Sequence, residues 1–134
     1  MNNGAHDLTE ADSTAVREVF EAVVAAQNAG DWDTVQSHLT SDVITLDPRV
    51  GGPVRGTGAW RELVDSFELS DVDLEITIQD LSGSGDVACV TWTLGGSWTE
   101  AGEEVSTSGK GVNLFRRDAD GSWRMSHYCW NANP

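Results

Sequence analysis

The chain has 134 residues, enough for one domain with a real core and too few for two. Its 22 Asp and Glu against eight Lys and Arg leave a formal charge of −14, which makes nucleic acid and anionic membrane surfaces poor partners. No apolar run approaches membrane-spanning length, so no membrane segment is expected.

Residues 1–8 read as a flexible leader without the basic and apolar regions of a signal peptide, which predicts a cytoplasmic protein; residues 9–134 read as a single domain. Thr9 and Asp12 form a capping-box-like pair, and the helix they open is expected to run to Ala29, where Gly30 stops it. Val16, Phe20, Val23 and Val24 form its apolar stripe, and Gln27 falls one turn after Val23, where a polar group needs a partner or a cavity. Asp31 is placed to cap a second helix that buries Trp32, Val35 and Leu39.

Asp42 to Asp47 then alternates as a strand, with Val43, Thr45 and Asp47 on one face. Pro48 has no N–H to continue a ladder, and Gly51-Gly52-Pro53 turns the chain. Asp47 is thereby fixed at a strand end. It is either a turn starter bonded to local N–H groups or, if that face lines a cavity, a carboxylate tuned as a general base. A third helix after Gly56 carries Trp60, Leu63, Val64 and Phe67.

The remainder reads as strands: one with Leu74, Ile76 and Ile78 alternating, a turn at Ser82–Gly85, a strand from Val87 to about Trp98, and a turn at Ala101-Gly102. A strand from Val105 to Arg117, a hairpin loop at Asp118–Gly121 and a last strand from Trp123 to Trp130 complete it. Helices first and an antiparallel meander afterwards predict an α+β fold with a curved sheet packed on helices. If Arg117 and Ser122 flank the last loop, Asn113 faces Ser126, Gly111 faces Tyr128 and Gly109 faces Trp130. Glycines opposite large aromatics leave room for a ligand, or let the strand bend and the rings fill the gap as core. The other face then carries Val112, Leu114, Trp123, Met125, His127 and Cys129, an apolar surface that a homodimer through the outer sheet face would cover. Cys89 and Cys129 read as reduced, buried small hydrophobes. His6, His38 and His127 lack metal-ligand spacing and no phosphate loop is present, so neither metal nor cofactor is expected.

Gly30-Asp31-Trp32, Asp42-Val43, Leu46-Asp47-Pro48, Pro53-Val54-Arg55-Gly56 and the run Arg116 to Met125, followed by His127 and Trp130-Asn131, resemble the SnoaL-like and ketosteroid-isomerase-like group of the nuclear transport factor 2-like superfamily. The resemblance spans about Thr9 to Asn131 and implies a cone in which helices close over the concave face of a curved sheet around a largely apolar pocket. It places the isomerase base at Asp47 and the second, oxyanion-binding acid at Asn113, where an amide still donates a hydrogen bond. The family's oxyanion tyrosine falls at Val23, which cannot donate, leaving Gln27, Tyr128 or Ser126 to supply that donor. Phe20, Val23, Trp60, Leu63, Val64, Trp92, Phe115, His127 and Trp130 complete the implied lining, although strand parity turns His127 away from Asn113. The paired Asp-Arg-Asp of epoxide hydrolases has no match.

Two functions follow from the resemblance. One is an enzyme that removes a proton next to a carbonyl of a small, largely apolar molecule, with Asp47 as base and Asn113 and Tyr128 as catalytic partners (isomerisation, cyclisation or dehydration). The other is a non-catalytic module that binds a small ligand or works through association. A raised Asp47 pKa favours the first, and an Asp47 bonded only to its own turn favours the second.

Overall fold

The computed structural model describes residues 7–134, and the expected leader lies outside the described residues up to residue 6. Asp7 makes an isolated antiparallel bridge to Ser84, and Leu8 packs against the core. Helix α1 spans Glu10–Ala29. The Thr9 hydroxyl accepts the Asp12 N–H at 3.0 Å at its start, and Gly30, at φ 69°, takes the left-handed conformation that ends it. Val16, Phe20, Val23 and Ala26 form its buried stripe, with Val24 only half-buried at the margin. Helix α2 (Trp32–Ser37) is capped by Asp31, which accepts from the Thr34 N–H and hydroxyl.

Strand β1 (Leu39–Leu46) begins earlier than the alternation predicts, so Leu39 is buried as a strand residue and not as part of the second helix. After the Pro48–Pro53 turn the chain returns as the two-residue strand β2 (Val54–Arg55), antiparallel to β1, and enters helix α3 (Thr57–Ser66). Long strands follow: β3 (Leu69–Ser84), β4 (Val87–Glu100), β5 (Glu103–Arg117) and β6 (Trp123–Ala132). The β3–β4 turn comes later than expected, because Ser82, Gly83 and Ser84 are still paired with Cys89, Ala88 and Val87. The six strands form one sheet in the order β2-β1-β6-β5-β4-β3, antiparallel throughout except for the parallel β1–β6 pair that returns the C-terminus beside β1. Among the described residues no helix is long and apolar enough to cross a membrane.

The last hairpin corrects the predicted register. Ser122 stays in the loop, held by Asp120 Oδ1, so Arg117 pairs with Trp123. A bulge at Ser126 then adds a second one-residue shift. Asn113 therefore faces Tyr128, Gly111 faces Trp130 and Gly109 faces Ala132. The first slip turns Trp123 (4% exposed) and Met125 (1%) inward, and the bulge restores parity, so His127 and Cys129 face outward. The apolar outer face thus loses two of its expected members to the core. That core lies between α1 and the concave sheet face, where Val16 and Phe20 pack in one cluster with Val90, Trp92, Phe115 and Met125.

Candidate functional site

The three helices do not fill the concavity. Between them and the sheet lies a partly open cavity of about 100 Å³. Its helical wall includes Val23, Leu63 and Val64. Six rings line it as well: Trp32, Trp60, Phe67, Trp98, Tyr128 and Trp130. An engineered cavity of roughly 150 Å³ takes up benzene, so this space admits a single ring at most.

The polar side is a short strip. Thr45 and Tyr128 are partners across the parallel β1–β6 pair, Gln27 reaches the cavity from α1, and Asp47 stands just beyond the end of β1. The Thr45 hydroxyl is buried without a hydrogen-bond partner among the described residues, an arrangement rare enough in folded proteins to mark a place where a polar atom is wanted. Burial, reinforced by the negative charge of Asp47, pushes the Tyr128 phenol up to about 12, so it is protonated at any ordinary pH and is available as a donor.

Asp47 is tied down on both oxygens. Oδ1 accepts from the Arg49 backbone N–H and from Arg49 Nε, both at 2.9 Å. Oδ2 accepts from Arg49 Nη2 at 2.8 Å and from Trp130 Nε1 at 3.3 Å. Burial pushes the Asp47 carboxyl up, but the Arg49 hydrogen bonds and charge, with Trp130 added, outweigh it and hold the pKa below the usual carboxylate value. The remaining Arg49 nitrogen, Nη1, donates to Glu100 Oε1 at 2.6 Å, and Trp98 Nε1 donates to the same oxygen at 3.1 Å. The guanidinium lies 3.7 Å from the Phe67 ring centre and 5.7 Å from that of Trp130. A bidentate, stacked and partly exposed arginine therefore stands at the polar side of the cavity.

Of the residues singled out from the sequence, Asp47, Tyr128, Val23, Gln27, Trp60, Leu63, Val64 and Trp130 meet at this cavity. The others do not. Phe20, Trp92 and Phe115 are core residues. Asn113 is 2% exposed and its Oδ1 accepts from Trp92 Nε1 at 3.2 Å, so it is a core amide and not a cavity donor. Ser126 sits in the bulge with its hydroxyl 3.3 Å from Leu114 O and 3.0 Å from His127 Nδ1, and His127 is on the outer face. Sequence reasoning missed Arg49, Thr45, Trp98 and Glu100. For Arg49 a signal was present: a carboxylate on the buried face of a strand needs a counter-charge, and Asp47-Pro48-Arg49 offers one two residues on. Among the described residues no group of three or more His, Cys, Asp or Glu side chains is placed to hold a metal ion.

Helices closing a curved six-stranded sheet into a cone with an internal pocket define the nuclear transport factor 2-like fold. Similar solved structures include a ketosteroid isomerase-like protein from Erwinia carotovora atroseptica (TM-score 0.83, 23% identity, covering 94% of this chain and 100% of that one). They also include an NTF2-like protein of unknown function from Pseudomonas putida (0.76, 17%, 94% and 89%) and the CaMKII hub of S. rosetta (0.72, 19%, 94% and 100%). No curated protein matches the chain. The model of the SnoaL-like domain matches residues 20–125, and the chain belongs to that family.

Proposed function

We propose that the protein binds a small, largely apolar molecule of about single-ring size, with one polar group directed at Gln27, Thr45 and Tyr128. The observation that carries this reading is the unfilled cavity itself, apolar except for that strip. Tyr128 supplies the donor that Val23, at the family's tyrosine position, cannot. Four of the six tryptophans (Trp32, Trp60, Trp98 and Trp130) line the cavity and two, Trp92 and Trp123, do not. Titration with acetophenone is therefore expected to move the first four indole N–H signals in a nitrogen–proton spectrum and leave the other two. Val64→Phe, which puts a ring into the space, is expected to abolish the shifts. Shifts confined to surface amides, or persisting in Val64→Phe, overturn the reading.

A catalytic version draws on the position of Asp47 in the same wall as Tyr128, whose phenol is protonated at neutral pH. There a proton passes from the carbon next to a ligand carbonyl to Asp47, while Tyr128 donates to the developing enolate oxygen. Arg49 has to release the carboxylate first, because an Asp47 held below its ordinary pKa is a weak base at neutral pH. The ketosteroid isomerase-like name of one similar structure speaks for this chemistry, and a cavity of about 100 Å³ speaks against a steroid-sized substrate.

The outer sheet face supports a homodimer on a smaller patch than the sequence predicted. Ile44, Cys89, Val112, Leu114 and Cys129 are half-buried there, and Leu46 is 41% exposed. Leu114→Glu places a charge within this patch and is its test; Met125, expected on this face, is core. Light scattering is expected to give the dimer mass for the parent and the monomer mass for Leu114→Glu. A parent chain already monomeric at micromolar concentration removes the proposal.

A further inference from the structure

The polar side of the cavity already holds a cation, and it is the chain's own, partly exposed Arg49. The Arg49 guanidinium sits over Phe67 and near Trp130, with each of its nitrogens on a carboxylate oxygen of Asp47 or Glu100. Two carboxylates against one guanidinium leave an excess negative charge around Arg49, with Asp47 in the cavity lining and Glu100 reaching it through Arg49, before the −14 of the whole chain is added. Aromatic faces carry the negative side of the ring quadrupole, so these walls add to the attraction for positive charge. An anionic ligand meets the opposite: the nitrogens that would receive it are engaged, and both neighbouring carboxylates repel it.

We infer that the cavity selects small organic cations, a protonated primary amine on a single ring being the class that fits, with the ammonium group replacing the Arg49 guanidinium between Asp47 and Glu100. Arg49 can leave. Its side chain is 29% exposed, and it stands in the Pro48–Pro53 turn outside any strand, so swinging into water breaks no backbone pairing. The ammonium brings three donors to the carboxylate oxygens that Arg49 vacates, and the ring follows into the apolar part of the cavity. Glu100 becomes a specificity-determining residue, oriented for the purpose by Trp98 Nε1. This inference rests on the reading that the cavity binds a small molecule, and a neutral probe separates the two.

The test is isothermal titration of the intact chain at pH 7 with benzylamine, benzyl alcohol and benzoate, three probes with the same ring and different charge. Benzylamine is expected to bind about threefold or more tighter than benzyl alcohol, because the ammonium exchanges for a resident cation and gains only the difference, with benzoate weakest. Arg49→Gln removes the resident competitor and is expected to widen the amine-to-alcohol ratio, whereas Glu100→Gln is expected to narrow it. A purely structural Arg49 predicts no widening. Benzyl alcohol or benzoate binding as tightly as benzylamine overturns the cation assignment and leaves the small-molecule reading standing. No binding by any of the three overturns both. A preference for the amine that neither substitution changes overturns the placement of the ammonium between Asp47 and Glu100.

Discussion

Asp47→Asn is expected to lower the stability of the folded chain by about 2–3 kcal/mol, a large share of the 5–15 kcal/mol typical of a domain. The Asp47 side chain is 5% exposed and is the main partner of Arg49. An amide keeps one acceptor but turns an NH₂ group toward guanidinium N–H groups, so donor faces donor and part of a half-buried positive charge loses its counter-charge. The cost falls short of the roughly 3–5 kcal/mol of a fully buried pair because Arg49 is 29% exposed and retains Glu100. The pH dependence separates this from simple loss of packing. The folded carboxyl has a lower pKa than the unfolded one, so its contribution is complete above about pH 4 and is lost as the pH falls through the folded value. The Tm gap between parent and Asp47→Asn is therefore expected to stay constant from about pH 8 to pH 5 and to shrink below about pH 4. A gap that persists unchanged to about pH 2.5 would show that Asn is losing something other than the ion pair.

What was legible in the sequence, and what was not, divides along one physical line. Signals that act within a few residues were readable: Thr9 before an apolar stripe, Gly30 after it, Asp31 as a cap, Pro48 as the end of β1, and the alternation that put Val43, Thr45 and Asp47 on the buried face. Features decided by contacts across the sheet were not. The bulge at Ser126 leaves no mark in composition; it follows from Trp123 and Met125 both needing the core while His127 does not. Counting without it, and with Ser122 taken as a strand residue, carried Asn113 to Ser126; the Ser122 slip alone carried Trp123 and Met125 to the outer face. The partners of the Asp47 carboxylate divide the same way. Arg49 was two residues away and readable as a counter-charge, but Trp130, which donates to Asp47 Oδ2, lies 83 residues away on β6. The cavity itself is a difference between helix volume and sheet curvature, which no local pattern records.

Gly111→Ala is expected to destabilise by about 3 kcal/mol, the upper end of what a single added methyl costs in a packed interior. Sequence reasoning left open whether the glycine makes room for a ligand or for core rings. A Cβ there would overlap the Trp92 ring, with Cη2 at 2.7 Å, and the Cys129 carbonyl oxygen. Trp92 is 1% exposed and is fixed by its hydrogen bond to Asn113, so the ring has no free direction in which to move. The space beside Gly111 thus belongs to the indole and not to a ligand. Trp92→Phe removes the ring atoms that the methyl would strike, so the double variant is expected to be less destabilised than the sum of the two singles by about 1 kcal/mol or more. It should not recover fully, because the clash with the Cys129 carbonyl remains. Chemical denaturation of the four proteins measures the coupling, and titration with benzyl alcohol checks the site, since neither residue lines the cavity. A Gly111→Ala variant of parent stability with weakened ligand binding would return the glycine to the ligand site and remove Trp92 as its reason.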